Sequence, residues 1–437
     1  MPHDRRAFLM GALGVALGIA GCGGGSGGAT GRDGREVTGM VRTDWLRDPY
    51  ARGSYSFHAV GSSPADRAAL AAPGPDGVFW AGEATDAGFP STVHGAVRSG
   101  RRAAAEVLDA GARDVVVAGA GMAGLACAER LAAAGARVVV IEARDRIGGR
   151  VWTDRSLGVP LERGASWIHG VDGNPVAALA RAAGARTAAF DYDDTDLRGG
   201  PSGEAQLERA MARVAAAQEA GGPDRPLAGA LPAGDAALRY AIRSEVDAEY
   251  GASPRELSLM WFDAGAEPRG GDVLLPDGYD RLAEFLARGL DVRLGARLAA
   301  VRTGDDGVTA VTADGTRLAA DALVVTLPLG VLQRDEIDWD PFPPDAKVAA
   351  VGRLGMGVLD KLYLRFPARF WGDASVLGRV APAADGRWAY WVNLEPVTGS
   401  PVVLGFNGGD AARGLSGASD GRVRDSALSA LAEMYPA

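Results

Sequence analysis

Gly119, Gly121 and Gly124 stand in a Gly-x-Gly-x-x-Gly run that begins directly after the β-branched stretch 114–118. Residues 125–134 read as a helix ended by Gly135 and residues 137–141 as a second strand. Glu142 closes that strand, eighteen residues after Gly124. This strand–turn–helix–strand context makes the spacing informative, because it sets a helix N-terminus beside the turn. Gly119 permits the tight turn, Gly121 lets backbone amides approach a pyrophosphate, and Gly124 lets helix and strand pack closely. The helix N-terminus favours the phosphate charge. Glu142 is placed to accept hydrogen bonds from ribose hydroxyls, and a carboxylate there disfavours a 2′-phosphate. The pattern therefore specifies a dinucleotide. Gly148 and Gly149 allow the backbone to pass close to such a ligand, and Arg150 can neutralise its pyrophosphate. Two further residues stand out. His169 lies in a stretch ended by Gly170, which suits a functional loop better than a core position. Lys361 sits in an alternating run of Leu, Tyr and Phe. Its ammonium must be buried or border a cavity, unless the strand faces solvent, and an unpaired buried charge is costly.

The residues around these groups resemble the flavin amine oxidase family. Glu142-Ala143-Arg144, continuing to Gly148-Gly149-Arg150, is similar to its E-A-x-x-x-x-G-G-R signature, which implies FAD rather than NAD and adds Arg144 to the cofactor-binding set. Gly164-Ala165-Ser166-Trp167, followed by Ile168-His169-Gly170, resembles a polyamine oxidase segment. The resemblance implies a loop running past the flavin with His169 near the substrate amine. Arg163 replaces an apolar residue there. Residues 272–279 and 322–332 resemble two later family segments, and Leu298 would offer backbone contacts to adenine. Residues 360–366 resemble N-K-[IV]-x-L-x-F, in which the Lys, here Lys361, holds a water against flavin N5 and assists the reaction with dioxygen. Asp360 stands where Asn is commoner, and either pairs with Lys361 or faces away.

The order of the parts departs from the family. Trp45, Asp48, Pro49 and the run Gly53-Ser54-Tyr55-Ser56 resemble W-x-x-D-P-x-x-x-G-S-Y-S. Gly82-Glu83-Ala84-Thr85 resembles G-E-A-T, and residues 89–96 resemble [YF]-P-x-T-V-H-G-A. In the family these close the chain; here they precede the glycine turn. The chain is therefore expected to be circularly permuted, with residues 436–437 beside residues 35–37 and the old termini joined through residues 109–113. Such fusion suits termini that lie close together and exposed. Glu83 would accept ribityl or ribose hydroxyls. The helix beginning near Thr92-Val93 would point its amides at the flavin edge that becomes negative on reduction. His94 reads as structural. Ser54 stands where monoamine oxidases carry a flavin-bonded Cys, and Cys127 belongs to the dinucleotide helix, so FAD is expected to be non-covalent.

These sites call for an α/β fold: a Rossmann-type FAD-binding domain with a second, α+β substrate-binding domain. The expected division is 1–22 signal, 23–34 Gly-rich tether, 35–113 permuted segment of both domains, 114–170 dinucleotide βαβ unit, 171–290 mainly substrate domain, 291–335 FAD-domain return and 336–437 substrate domain. A chain of 437 residues can build both cores. Net charge is −9, which argues against nucleic acid and is compatible with cationic substrates. Two Cys and four His make a disulfide framework or a metal centre unlikely as an organising element, and no metal is expected. Arg5-Arg6 and the apolar run 7–20 resemble a twin-arginine export signal, and residues 19–22 a lipobox with Cys22 as lipid anchor. The expected location is thus the extracytoplasmic face of a bacterial membrane. The twin-arginine route carries folded proteins, which suits one that must take up its cofactor first. The implied reaction is oxidation of a C–N bond of a polyamine or other amine by hydride loss to FAD, with dioxygen reduced to hydrogen peroxide. An L-amino-acid oxidase and a flavin-binding surface protein without turnover are the alternatives. The acidic residues Asp191, Asp193, Asp194 and Asp196 read as a solvated loop.

Overall fold

The computed structural model describes residues 29–30, 35–74, 77–266, 268–381 and 387–436. The signal with Cys22, and most of the tether, lie outside the described residues. The first layer is a five-stranded parallel sheet in the order Asp291–Arg293, Arg137–Ile141, Asp114–Ala118, Ala322–Val325, Val78–Trp80. Its central strand is a continuous Val run because both faces are covered. Val115 and Val117 face the helices Met122–Ala133 and Val93–Asp109. Val116 and Ala118 face a four-stranded sheet built on Leu298–Gly304.

The second layer is a six-stranded sheet in the order Thr195–Arg198, Val376–Arg379, Tyr390–Asn393, Val402–Gly408, Leu359–Arg365, Gly39–Arg42. Period-2 alternation sorts the strand Leu359–Arg365. Leu362 and Leu364 pack with Leu428 and Leu431 of the outer helix Asp420–Met434. Lys361 and Tyr363 turn the other way, toward the first layer, with Lys361 in register opposite Phe406. The fold is thus the expected pairing of an α/β dinucleotide domain with an α+β domain.

Residues before the glycine turn supply an edge strand to each sheet, Gly39–Arg42 to one and Val78–Trp80 to the other. The helix Val93–Asp109 runs through residues 110–113 straight into the strand Asp114–Ala118. Arg35 donates to the carbonyl of Tyr435. One expected boundary moves, and the stretch 171–290 contributes to both domains. Helices Pro175–Ala182 and Asp280–Leu286, inside the stretch 171–290, bury Leu179, Leu282 and Leu286 in the helix layer of the first domain. The strand Asp338–Asp340 and helix Asp345–Arg353 likewise join the first domain, with Ala350 and Leu354 in its core. Their apolar faces match that layer, so the final crossing into the substrate domain falls after Leu354 rather than at 335.

Candidate active site

A cavity of about 1810 Å³ runs between the layers. All the site residues predicted from sequence border it except Gly124. Gly124 lies in the first turn of the helix Met122–Ala133, where a Cβ would sit 1.9 Å from the Gly119 carbonyl oxygen. A Cβ on Gly121 would meet nothing within 4 Å, so the turn presents bare backbone to open space. Glu142 accepts from the amides of Ala120 and Arg144, both at 2.8 Å, which ties the acidic residue to the turn it follows. Arg297 and Leu298 border the same end. A cradle of bare backbone, a helix N-terminus and a carboxylate fit the phosphates and ribose of FAD.

Arg144 borders this end too, but its guanidinium is bidentate to Asp48 at 2.6 and 3.0 Å. It therefore fastens the segment before the glycine turn to the dinucleotide segment instead of being free for a phosphate. Glu83 also departs from expectation. Its carboxylate is 4% exposed and is filled by protein donors: Arg150 at 2.8 Å, the Ser56 hydroxyl at 2.6 Å and the Ser91 amide at 3.0 Å. Burial pushes its carboxyl up, but Arg150, Arg67 and Ser56 outweigh this and hold it below its ordinary range. An ionised carboxylate so buried needs those donors, so Glu83 positions other groups and is not left open for cofactor hydroxyls. Gly82 is held by its amide to Ser99 at 2.9 Å. Thr92 caps the helix Val93–Asp109 through Gly95, and Val93 opens onto the cavity. His94 is 9% exposed and stacks on Phe89 at 3.9 Å. Burial and Arg98 lower its pKa to about 4, so it is a neutral packing residue.

Lys361 is 5% exposed and donates to the Glu162 carbonyl, the Gly164 carbonyl and the Ser166 hydroxyl at 3.1, 2.5 and 2.5 Å. The loop of Gly164, Ala165, Ser166 and Trp167 thus wraps the ammonium, which lies 5.7 Å from the Trp167 and Phe406 ring centres. Burial lowers the Lys361 pKa, and the nearby Glu162 carboxyl, raised by its own burial, opposes that in part. Asp360 points to the other face of its strand and accepts from the Thr43 hydroxyl and Trp45 amide at 2.8 and 2.9 Å. Of the two expected dispositions it takes the one facing away from Lys361. Arg163 lies flat on Trp152 at 3.9 Å and reaches Asp154.

His169 faces the cavity and binds Asp272 at 2.6 Å. The strand Trp167–Ile168 pairs with Asp272–Leu274, and this register delivers Asp272 to the imidazole. Asp272 also accepts from the Gly170 amide and Tyr192 hydroxyl at 2.8 and 3.2 Å. Burial alone would lower the His169 pKa, but Asp272 and Glu249 raise it overall. Sequence reasoning quoted Asp272 within a motif without giving it a role. It missed Glu249 and Glu245, which border the cavity from the helical stretch 243–250. Both carboxyls are raised, chiefly by the enclosing protein. Glu204, Glu208 and Glu219 of the exposed face of the helix Glu204–Ala220 border the cavity as well, which is also lined by the rings of Trp167, Tyr192, Tyr390 and Phe406. Asp193 borders it too. Asp194 instead binds Ser375, and Asp196 pairs with Arg198, so the acidic run is partly structural.

The chain matches the family described as flavin containing amine oxidoreductase over residues 27–108, 122–200 and 224–437. It is 32% identical over 356 residues to polyamine oxidase 4 of Oryza sativa subsp. japonica, covering 74% of this chain and 73% of that protein. It is 33% identical over 356 residues to probable polyamine oxidase 4 of Arabidopsis thaliana, covering 74% and 71%. Among solved structures it resembles a putrescine oxidase double mutant from a redesign of cofactor binding. The TM-score is 0.59 with 20% identity, over 74% of this chain and 82% of that one, a likeness of fold.

Proposed function

Because the chain belongs to the flavin containing amine oxidoreductase family, and is therefore an FAD-dependent amine oxidase, we propose that its substrate is a polyamine. The observation that carries this is the series of carboxylates bordering the cavity up to His169 and Asp272. Carboxylates spaced from the exposed helix Glu204–Ala220 inward to Glu245 and Glu249 favour a flexible chain with several ammonium groups, the attraction strengthening toward the interior. The aromatic rings of the cavity pack its methylenes. The helical elements 204–220 and 243–250 present no arginine to the cavity. An L-amino-acid oxidase would need one for the substrate carboxylate, and Arg144, Arg150 and Arg163, which border the cavity from other elements, are paired with Asp48, Glu83 and Asp154.

FAD, when bound, takes the hydride and returns its electrons to dioxygen, and Gly119, Gly121, Glu142 and the helix Met122–Ala133 would hold it. Asp272 accepts the Nδ1 proton of His169, so the neutral ring carries its lone pair on Nε2, the nitrogen assigned to the substrate amine. The substrate nitrogen must be a neutral amine when its alpha carbon gives up hydride, and His169 takes the ammonium proton. Lys361 keeps a polar, hydrogen-bonded point in an otherwise aromatic wall where dioxygen chemistry occurs. The Ser54 hydroxyl is committed to the Leu359 backbone at 3.0 and 2.8 Å, which supports non-covalent FAD. Peroxide release with spermidine, a monoamine and an L-amino acid tests the substrate. Turnover of the amino acid alone refutes the polyamine reading, and no turnover of any, with FAD bound, favours a flavin-binding protein without oxidase activity. FAD that stays with acid-precipitated protein refutes non-covalent binding.

Two readings rest on less. The contact of Arg35 with Tyr435 and the direct run from helix Val93–Asp109 into the strand Asp114–Ala118 support circular permutation. Moving residues 35–108 behind residue 437 should then give a folded, yellow protein. Residues 1–22 are proposed as a twin-arginine lipoprotein signal that sets the enzyme on the extracytoplasmic face of a bacterial membrane. Cys22→Ala should release it from membranes.

A further inference from the structure

Arg67 is 1% exposed, yet among the described residues no carboxylate forms an ion pair with it. Its Nη1 donates to the Ser56 hydroxyl at 2.7 Å and the Ala84 carbonyl at 3.2 Å, and its Nε donates to His58 Nε2 at 3.1 Å. Burial and Arg67 itself push the His58 pKa down to about 3, so the ring is neutral and its Nδ1 proton faces Ser62 at 3.2 Å. The Ser56 hydroxyl passes the interaction on, donating to Glu83 at 2.6 Å. Glu83 then holds two groups that border the cavity. One is Arg150, at 2.8 Å, beside the glycine pair that packs on the dinucleotide turn. The other is the amide of Ser91, at 3.0 Å. Ser91 has a φ of 68°, unfavourable for a serine, and directly precedes the cap of helix Val93–Asp109.

The charges in this cluster do not cancel. Arg67 and Arg150 each carry one positive charge, Glu83 carries one negative charge, and His58 is neutral. Asp86 is near Arg67 but is itself paired with Arg98 at 3.1 Å. Within this hydrogen-bonded cluster one positive charge is left over, since the nearby Asp66 is paired with Arg353 and Asp224 is held by Gly61 and Ser258, and Arg67, Arg150 and Glu83 all border the cavity. Buried net charge is tolerated where a bound group of opposite sign completes it.

We propose that Arg67 is a positioning residue: through Ser56 and Glu83 it holds Arg150 and Ser91 in place, and the positive charge left on the cluster is met by the anionic part of bound FAD. The inference depends on FAD binding and not on which amine is oxidised, so its readouts are FAD affinity and flavin midpoint potential, and failure of the polyamine reading would leave both untouched. Three holoprotein variants test it. Arg67→Met removes the charge, Ser56→Ala cuts the relay while keeping every charge in place, and Arg67→Lys keeps the charge while losing the fork. Arg67→Met and Ser56→Ala should each weaken FAD roughly tenfold, the equivalent of one charge-assisted hydrogen bond. Arg67→Met should also lower the flavin midpoint potential, because the reduced anionic flavin loses a positive charge, whereas Ser56→Ala keeps every charge and should move the potential little; Arg67→Lys should recover part of both Arg67→Met changes. If Arg67→Met does not fold, Ser56→Ala decides. A soluble Ser56→Ala protein whose FAD affinity stays within about twofold of the parent overturns the proposal, as does a folded Arg67→Met holoprotein with unchanged potential.

Discussion

Replacing Asp272 with Asn tests whether the His169–Asp272 pair governs the substrate proton. The substitution keeps the shape of the side chain. Asn can still accept from the Gly170 amide, now at 2.8 Å, and the hydroxyl of Tyr192 can turn to accept from the new amide. What changes is the 2.6 Å bond to His169 Nδ1, where an acceptor becomes a donor. The imidazole must then move its proton to Nε2, the nitrogen assigned to the substrate. A bond between charged groups is worth about 1.5–3 kcal/mol. The His169 side chain is 36% exposed to the cavity, so solvent screening reduces this to about 1 kcal/mol. The pair raises His169 above its ordinary pKa and holds Asp272 below its own. The His169 contribution is complete below the unfolded imidazole value and is lost as pH rises through the raised folded value. The Asp272 contribution is complete above the unfolded carboxyl value and is lost as pH falls through the depressed folded value. The attraction needs both charges, so the variant's loss of stability should be largest between about pH 4 and 6.5 and should fade as pH rises through the raised His169 value. Its kcat/KM for a polyamine should fall by roughly 10² or more, as expected for losing a positioned proton acceptor. The acid limb of kcat/KM should shift to lower pH, because burial and Lys361 remain while Asp272 is gone. Initial rates of peroxide release across pH measure both. An unmoved acid limb with near-parental kcat/KM would refute the argument.

Lys361→Met should slow reoxidation of the reduced enzyme by about tenfold or more, followed by stopped-flow mixing with dioxygen. It should change unfolding stability by less than about 2 kcal/mol, because relief of a buried ammonium offsets its three lost hydrogen bonds. Glu249→Gln should raise KM for a triamine by roughly tenfold and for a monoamine much less, a difference read directly from paired substrate titrations. Asp48→Asn breaks a pair whose side chains are 15% and 11% exposed, and should cost about 3 kcal/mol in denaturant unfolding by leaving the Arg144 charge stranded.

What could be read from the chain was whatever depends on local pattern. The Val run 115–117 announces a strand buried on both faces, and alternation in 360–366 places Lys361 opposite Leu362 and Leu364. The same alternation decides Asp360: a residue next to Lys361 in a strand must face the other way, and it caps the Thr43–Trp45 turn. Partners chosen by tertiary structure were not legible. Glu83 carries the right motif, but its role depends on Arg67, Ser56 and Arg150, which approach from three separate stretches of chain. Asp272 becomes the partner of His169 through a two-residue antiparallel register across 103 residues of sequence, which no spacing rule reports. Glu245 and Glu249 belong to no motif, and the wide turn at Arg243–Asp247 that precedes Glu249 is invisible to a 3.6-residue period. The residues read correctly are those whose neighbours in sequence are their neighbours in space. Those missed take their chemistry from the junction of the two layers, where cofactor chemistry and amine recognition must meet.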